Sequence, residues 1–205
     1  REIVRRDDLR FAADVAALRS FILRLNGDLS GTIELSYLAL ARLPNKHNPL
    51  YYLTAMNLIN TYILNCELKQ AISTTSNLLE DIRGWNIPPA LNLLIGPHLV
   101  ESSLLVLQGR PREAKKLLED MLVGNHHKIP SSVGLLGAEA ISMAEACYML
   151  GELDQSRQWA EIATEQAQSS WNSDILQGAY YMLSRIARAK GDSVRAMDMF
   201  QRMYA

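Results

Sequence analysis

Apolar residues along this chain recur three and four positions apart in long stretches, and Gly, Asn, Pro and Ser break those stretches at regular intervals. That rhythm predicts helices. Between Pro49 and Cys66, for example, Leu53, Met56 and Leu64 mark an apolar stripe beside the polar Asn57 and Asn60. Helix starts are marked by Asn48-Pro49, by Pro88-Pro89 after Asn86, by Ser131-Ser132 and by Asn172-Ser173-Asp174. Each supplies a capping side chain or a first-turn proline. Gly96-Pro97 falls inside the stretch from Pro88 to Leu107 and predicts a kink or split there. No segment reads as a strand, and the marks together divide the chain into ten helices forming five hairpins.

The other helix ends share one short motif, which recurs five times. Its copies are Gly27-Asp28-Leu29-Ser30-Gly31-Thr32, Cys66-Glu67-Leu68-Lys69-Gln70-Ala71, Gly109-Arg110-Pro111-Arg112-Glu113-Ala114, Gly151-Glu152-Leu153-Asp154-Gln155-Ser156 and Gly191-Asp192-Ser193-Val194-Arg195-Ala196. The anchors at 27, 66, 109, 151 and 191 are 39, 43, 42 and 40 residues apart, which is a period. A glycine ends a helix cheaply because a left-handed backbone costs least without a Cβ. Asp28, Glu152 and Asp192 suit the positive end of the next helix, and Pro111 suits a first turn. The small residue five positions after each anchor lets the second helix approach the first. Ser20, Ser102, Ala144 and Ser184 are its counterparts seven positions before the anchor. The second repeat has Ile59 there and Cys66 as anchor, so a looser turn is expected.

Hairpins of this size bury their apolar faces only by stacking on one another. The expected product is an all-α, tetratricopeptide-like α-solenoid. Five hairpins would form a right-handed superhelix, a single domain over residues 1–205, whose concave face is lined by the first helix of each pair. The first and last repeats look incompletely covered. The chain begins without Met and stops at Met203-Tyr204-Ala205 inside a helical pattern, so a piece of a longer protein is expected.

Charge and composition narrow the function. Twenty-one basic and 22 acidic residues leave a net charge of −1, without the basic excess that nucleic-acid binding draws on. No apolar run approaches the roughly 18 residues of a membrane span, nor does a signal sequence follow Arg5-Arg6. A cytoplasmic location is the default expectation. Cys66 and Cys147 lie far apart in apolar helical stretches and read as small buried thiols.

The tetratricopeptide period is ordinarily about 34 residues. Longer repeats with these turns resemble the sensor region of the LuxR-type, ATP-dependent bacterial transcriptional activators of the MalT-like group. Residues 18–28, 157–163 and 187–192 carry the resemblance, with Met143-Ala144-Glu145-Ala146-Cys147-Tyr148-Met149-Leu150-Gly151-Glu152-Leu153-Asp154 and Trp171-Asn172. The resemblance implies a regulator with an ATP-binding domain upstream and a DNA-binding helix-turn-helix downstream. A small-molecule inducer or a regulatory protein would then bind this segment. No cofactor is expected here, since ATP would bind upstream: the chain has no G-x-x-x-x-G-K-[ST] phosphate loop. DNA would be reached only through the missing C-terminal domain, and self-association is a further option.

Candidate chemistry is sparse. His126 and His127 are adjacent rather than one turn apart, and His47 and His98 stand alone, so no metal site is expected. No Gly-x-Ser-x-Gly elbow appears, and Glu80-Asp81 and Glu119-Asp120 read as solvated surface. An enzyme is not expected. Binding is the better prospect. Six residues before each anchor, the register expected to face the groove holds Phe21, Asn60, Ser103, Glu145 and Arg185, and neighbouring registers add Arg24, Tyr148, Tyr181 and Arg188. Aromatic rings beside Asn, Glu and Arg suit a polar small molecule or a peptide. Glu145 and Arg185, in adjacent repeats, could equally pair with each other. Trp85 and Trp159 are expected to fill hairpin interiors. Two readings result: the sensor superhelix of a LuxR-type regulator, or a free-standing scaffold for a peptide or protein partner.

Overall fold

The computed structural model describes residues 2–43, 48–83, 95–125, 135–170 and 172–204, with side chains over 11–43, 48–83, 95–122, 137–170 and 172–204. Ten helices fill these segments: α1 (Glu2–Leu25), α2 (Leu29–Arg42), α3 (Pro49–Leu64), α4 (Leu68–Arg83), α5 (Ile95–Leu107), α6 (Pro111–Asn125), α7 (Leu135–Met149), α8 (Leu153–Ser170), α9 (Ser173–Ala189) and α10 (Ser193–Arg202). There is no strand among the described residues. Consecutive helices pair as five hairpins, as the repeat predicts. Contacts divide the chain into two compact units, Arg1–Ile87 with α1 to α4 and Pro88–Ala205 with α5 to α10.

The hairpin turns are copies of one another. After each first helix the anchor residue is left-handed, with φ of 81°, 58°, 74°, 78° and 81° at Gly27, Cys66, Gly109, Gly151 and Gly191. The next N–H reaches back five residues: Asp28 to Leu23 O, Glu67 to Tyr62 O, Arg110 to Leu105 O, Glu152 to Cys147 O and Asp192 to Ala187 O, all within 2.8–3.0 Å. The anchor's own N–H bonds the carbonyl three residues back, which completes a Schellman-type cap. The second repeat is therefore no looser than the rest. Cys66 takes the glycine conformation because its flanking helices leave the same carbonyls to satisfy. Nor is its thiol buried: Cys66 is exposed and only Cys147 is covered.

Helix starts largely follow the expected caps. Asp28 accepts from the Gly31 N–H at 2.9 Å and Asp192 from the Arg195 N–H at 2.9 Å. Asn48 caps α3, whose first residue is Pro49, and Asn172 caps α9. Glu152 is the exception, because its carboxylate goes to Lys115 Nζ at 2.6 Å. The described part of α5 begins at Ile95, so the kink or split expected at Gly96-Pro97, which turns on the residues before Ile95, lies outside the described residues. The starts proposed at Pro88-Pro89 and Ser131-Ser132 lie outside the described residues.

Within each hairpin the small residues flanking the turn meet where the helices cross. Ser156 Oγ donates to Ala144 O at 2.7 Å and Ser184 Oγ to Ala196 O at 2.8 Å. Ala71, Ala114 and Ser156 are fully buried at the same place. In both units the first helices also touch one another: α1 packs on α3, α5 on α7 and α7 on α9. Among the described residues the second helices make at most marginal contact with each other. The more closely spaced layer lies on the inside of a curved stack, so the first helices line the concave side of each unit. Glycines permit the closest approach. A Cβ on Gly178 of α9 would stand 2.9 Å from Ile141 Cδ1 of α7, and one on Gly137 of α7 would stand 2.8 Å from Ile175 Cγ2 of α9.

Candidate functional site

In the unit from α5 to α10, the predicted groove register forms a row. Ser103 on α5, Glu145 on α7 and Arg185 on α9 are all partly exposed. The residues one turn further along their helices point the same way. Leu107 is 57 % exposed there and Met149 48 %. Tyr181, one turn before Arg185, is exposed as well.

Four of the sequence-predicted residues come together. Arg185 Nη1 lies 3.6 Å from Glu145 Oε1, and its guanidinium carbon stands 4.4 Å from the centroid of the Tyr148 ring and 5.5 Å from that of Tyr181. Two ring contacts contribute roughly 0.5–1 kcal/mol each at a partly exposed site, and the ion pair adds less than about 1 kcal/mol. These four side chains form a preorganised patch bridging α7 and α9, with the arginine within cation–π distance of both rings.

The remaining candidates are placed differently. Ser103 Oγ donates to Leu99 O at 3.1 Å in its own helix. Asn60 is half-buried on α3 and Phe21 half-buried on α1. Arg24 turns sideways, and its Nε donates to Asn57 Oδ1 of α3 at 2.5 Å. It occupies the same register as Tyr148, which reaches from α7 to Arg185 on α9. That register therefore spans from one first helix to the next. Arg188 holds it on α9 and is exposed. Trp159 is half-buried against Met143, Ala144 and Ala163 at the hairpin interior. Trp85, Trp171, His47, His126 and His127 lie outside the described residues.

Leu107 and Met149 were not among the sequence candidates. Their signal was present: the position two before the anchor is Leu25, Leu64, Leu107 and Met149 in four of five copies.

Other chemistry is quiet. Burial pushes the Cys147 thiol up to about 11, so it is protonated at neutral pH. His98 Nδ1 lies 3.1 Å from Glu101 Oε2, one turn along the same helix. A shallow, open hollow of about 380 Å³ is lined by Arg112, Lys115, Lys116, Glu119, Leu150 and Glu152. It shares no lining residue with the aromatic patch, and two of its charges, Lys115 and Glu152, are already paired at 2.6 Å.

Solved structures share the fold of this chain. Two crystal structures of a Podosopora anserina kinesin-light-chain-type protein with nearly identical TPR-like repeats superpose with TM-scores of 0.65 and 0.63. Each is 15 % identical and covers 93 % of this chain and 92 % of its own. The fold is a tetratricopeptide-like solenoid. A tetratricopeptide repeat protein of Parabacteroides merdae is also similar, at 15 % identity, a TM-score of 0.46 and coverage of 94 % of this chain and 92 % of its own. No protein-family model matches the solenoid, and no curated protein does. Nothing among these comparisons links it to LuxR-type activators. Among the described residues, no helix is long and apolar enough to cross a membrane.

Proposed function

We propose that this solenoid is a protein-interaction scaffold that binds a peptide or protein segment along the first helices α5, α7 and α9. The observation that carries the proposal is the pair of exposed apolar residues Leu107 and Met149, in one register, beside the Arg185 patch with its exposed Tyr181. Apolar side chains presented to water on a curved, rigid surface are what a partner's side chains cover, and aromatic and arginine residues dominate such contacts. The partner segment would place apolar side chains on Leu107 and Met149 and a carboxylate or backbone carbonyl toward the Arg185 and Arg188 end.

The paired charges favour a peptide over a small polar inducer. Arg185 is engaged with Glu145 and two rings, so a metabolite would have to displace those contacts to use its charge, whereas a peptide gains most of its energy from the apolar row. The repeat period near 40 is the feature that supports the alternative of a sensor segment in a LuxR-type regulator, with the same face holding an effector.

The test is peptide selection. A displayed library of short segments combining apolar and acidic residues is panned on the chain, and the enriched peptide is measured against variants. Met149→Glu should weaken it about tenfold, which corresponds to about 1.4 kcal/mol. Glu165→Ala, at an exposed site on α8, should leave affinity unchanged. Failure to enrich any peptide, or equal binding by Met149→Glu, sinks the proposal.

A further inference from the structure

Among the described residues two apolar faces are exposed, one on α1 and one on α10, and their registers match at most positions. Between internal hairpins the contact has a fixed pattern. The residue nine positions after an anchor, on the second helix, packs against those five, eight and nine before the next anchor, on the following first helix. Ala160 of α8 does this against Ile186, Leu183 and Met182 of α9. Leu118 of α6 does it at two of these positions, in one cluster with Met143 and Ala146 of α7, joined by Cys147 four before the anchor. All of these side chains are buried.

On α10 the equivalent of Ala160 is Phe200, which is 42 % exposed, with Val194, Met197 and Tyr204 exposed around it. On α1 the equivalents of Ile186 and Met182 are Ile22 and Leu18, which are 57 % and 58 % exposed, with Phe11 exposed two turns earlier. Solvent-facing leucine, isoleucine and phenylalanine at those registers are what a neighbouring hairpin would bury. Singly exposed apolar residues are ordinary on a surface, but a face several residues long is not.

We propose that α10 of one copy of this chain docks on α1 of a second copy, in the register by which α8 docks on α9, forming a head-to-tail contact. The occupant follows from continuity with the internal interface, since one chain carries an apolar residue at the α10 position and at two of the three α1 positions, with the exposed Arg19 at the third, where its stem can lie along Phe200 and its charge reach water. Phe200 would seat against Ile22 and Leu18, and Met203, twelve after its anchor, against Val15, as Ala163 packs against Ala179. Phe200 with Ile22 is bulkier than the internal pairs, so these hairpins would stand further apart than α8 and α9. The contact is heterologous: the two copies contribute different surfaces. It is independent of the peptide-binding face, because it uses none of the residues of that row.

Heterology supplies the test. Sedimentation velocity over a concentration series is run on the unsubstituted chain, on Ile22→Glu, on Phe200→Glu and on their equimolar mixture. The unsubstituted chain should associate as concentration rises. Each substitution alone should weaken association about tenfold or more. The mixture should recover a dimer and nothing larger, because it pairs an intact α1 face with an intact α10 face; that recovery also shows both variants folded. Three results overturn the proposal: a monomeric unsubstituted chain up to its solubility limit, a single variant that still associates, or a mixture of folded variants that stays monomeric. The second would mean a symmetric contact, and the first would mean that some other partner covers these faces.

Discussion

Cys66 holds a backbone conformation that four glycines hold elsewhere in this molecule, at φ 58°. A left-handed backbone costs an L-residue with a Cβ roughly 1–2 kcal/mol, partly offset because glycine has more entropy to lose on folding. Cys66→Gly should therefore raise stability by about 0.5–1 kcal/mol, and Gly151→Ala should lower it by about 1 kcal/mol, both read from urea unfolding. An unchanged midpoint in both would mean the turns are not strained. A second prediction concerns alkaline pH. Burial and the 3.0 Å hydrogen bond to Asp81 push the Tyr51 hydroxyl from 10.0 to about 12. Burial and its bond to Tyr37 move Tyr62 in the same direction. The folded chain thus holds these protons more tightly than the unfolded chain, so their contribution is full below pH 10 and declines as pH rises toward 12. Melting temperature should fall over that range, and Tyr51→Phe should flatten the fall. At this scale the caps were legible because Asp28, Asn48, Asn172 and Asp192 act through local hydrogen bonds. The exposure of Cys66 was not, since an apolar neighbourhood in sequence does not say which side of a helix end faces water.

Helix pairs here are spaced by their smallest side chains. Ala144 and Ser156 are fully buried at the α7–α8 crossing, joined by the Ser156 hydroxyl at 2.7 Å. Ala144→Leu should cost about 1–3 kcal/mol through overpacking. Gly178→Ala should cost less, because its Cβ would meet only a side-chain end, Ile141 Cδ1 at 2.9 Å, while alanine returns about 1 kcal/mol of helix propensity. Adding Ile141→Val should return part of the loss, and calorimetry of the single and double variants would show it as non-additivity. Strict additivity would mean that α7 and α9 are not spaced by this contact. The crossing residues were readable from the repeat, because the same separations from the anchor hold small side chains in most copies. Gly137 and Gly178 were not, as they act between hairpins and follow no shared register.

Across the molecule, the five-hairpin fold was visible in a period near 40 because each stacked unit must solve the same packing problem. The proposed binding face was only half visible. Counting back from the turns located Glu145 and Arg185, and Tyr148 and Tyr181 were read from neighbouring registers. These side chains meet at 3.6 Å, 4.4 Å and 5.5 Å from one another's groups. The same counting placed Arg24 in the groove, although that register turns sideways to the next first helix, and it passed over Leu107 and Met149. A helical register gives an angle around the axis, while exposure also depends on what the neighbouring hairpin covers. The most direct test of the scaffold reading is hydrogen exchange on the chain with and without a selected peptide. The account predicts slowed exchange in α5, α7 and α9, strongest around Met149 and Tyr181. Protection confined to α6, α8 and α10, with the first helices unchanged, would contradict it.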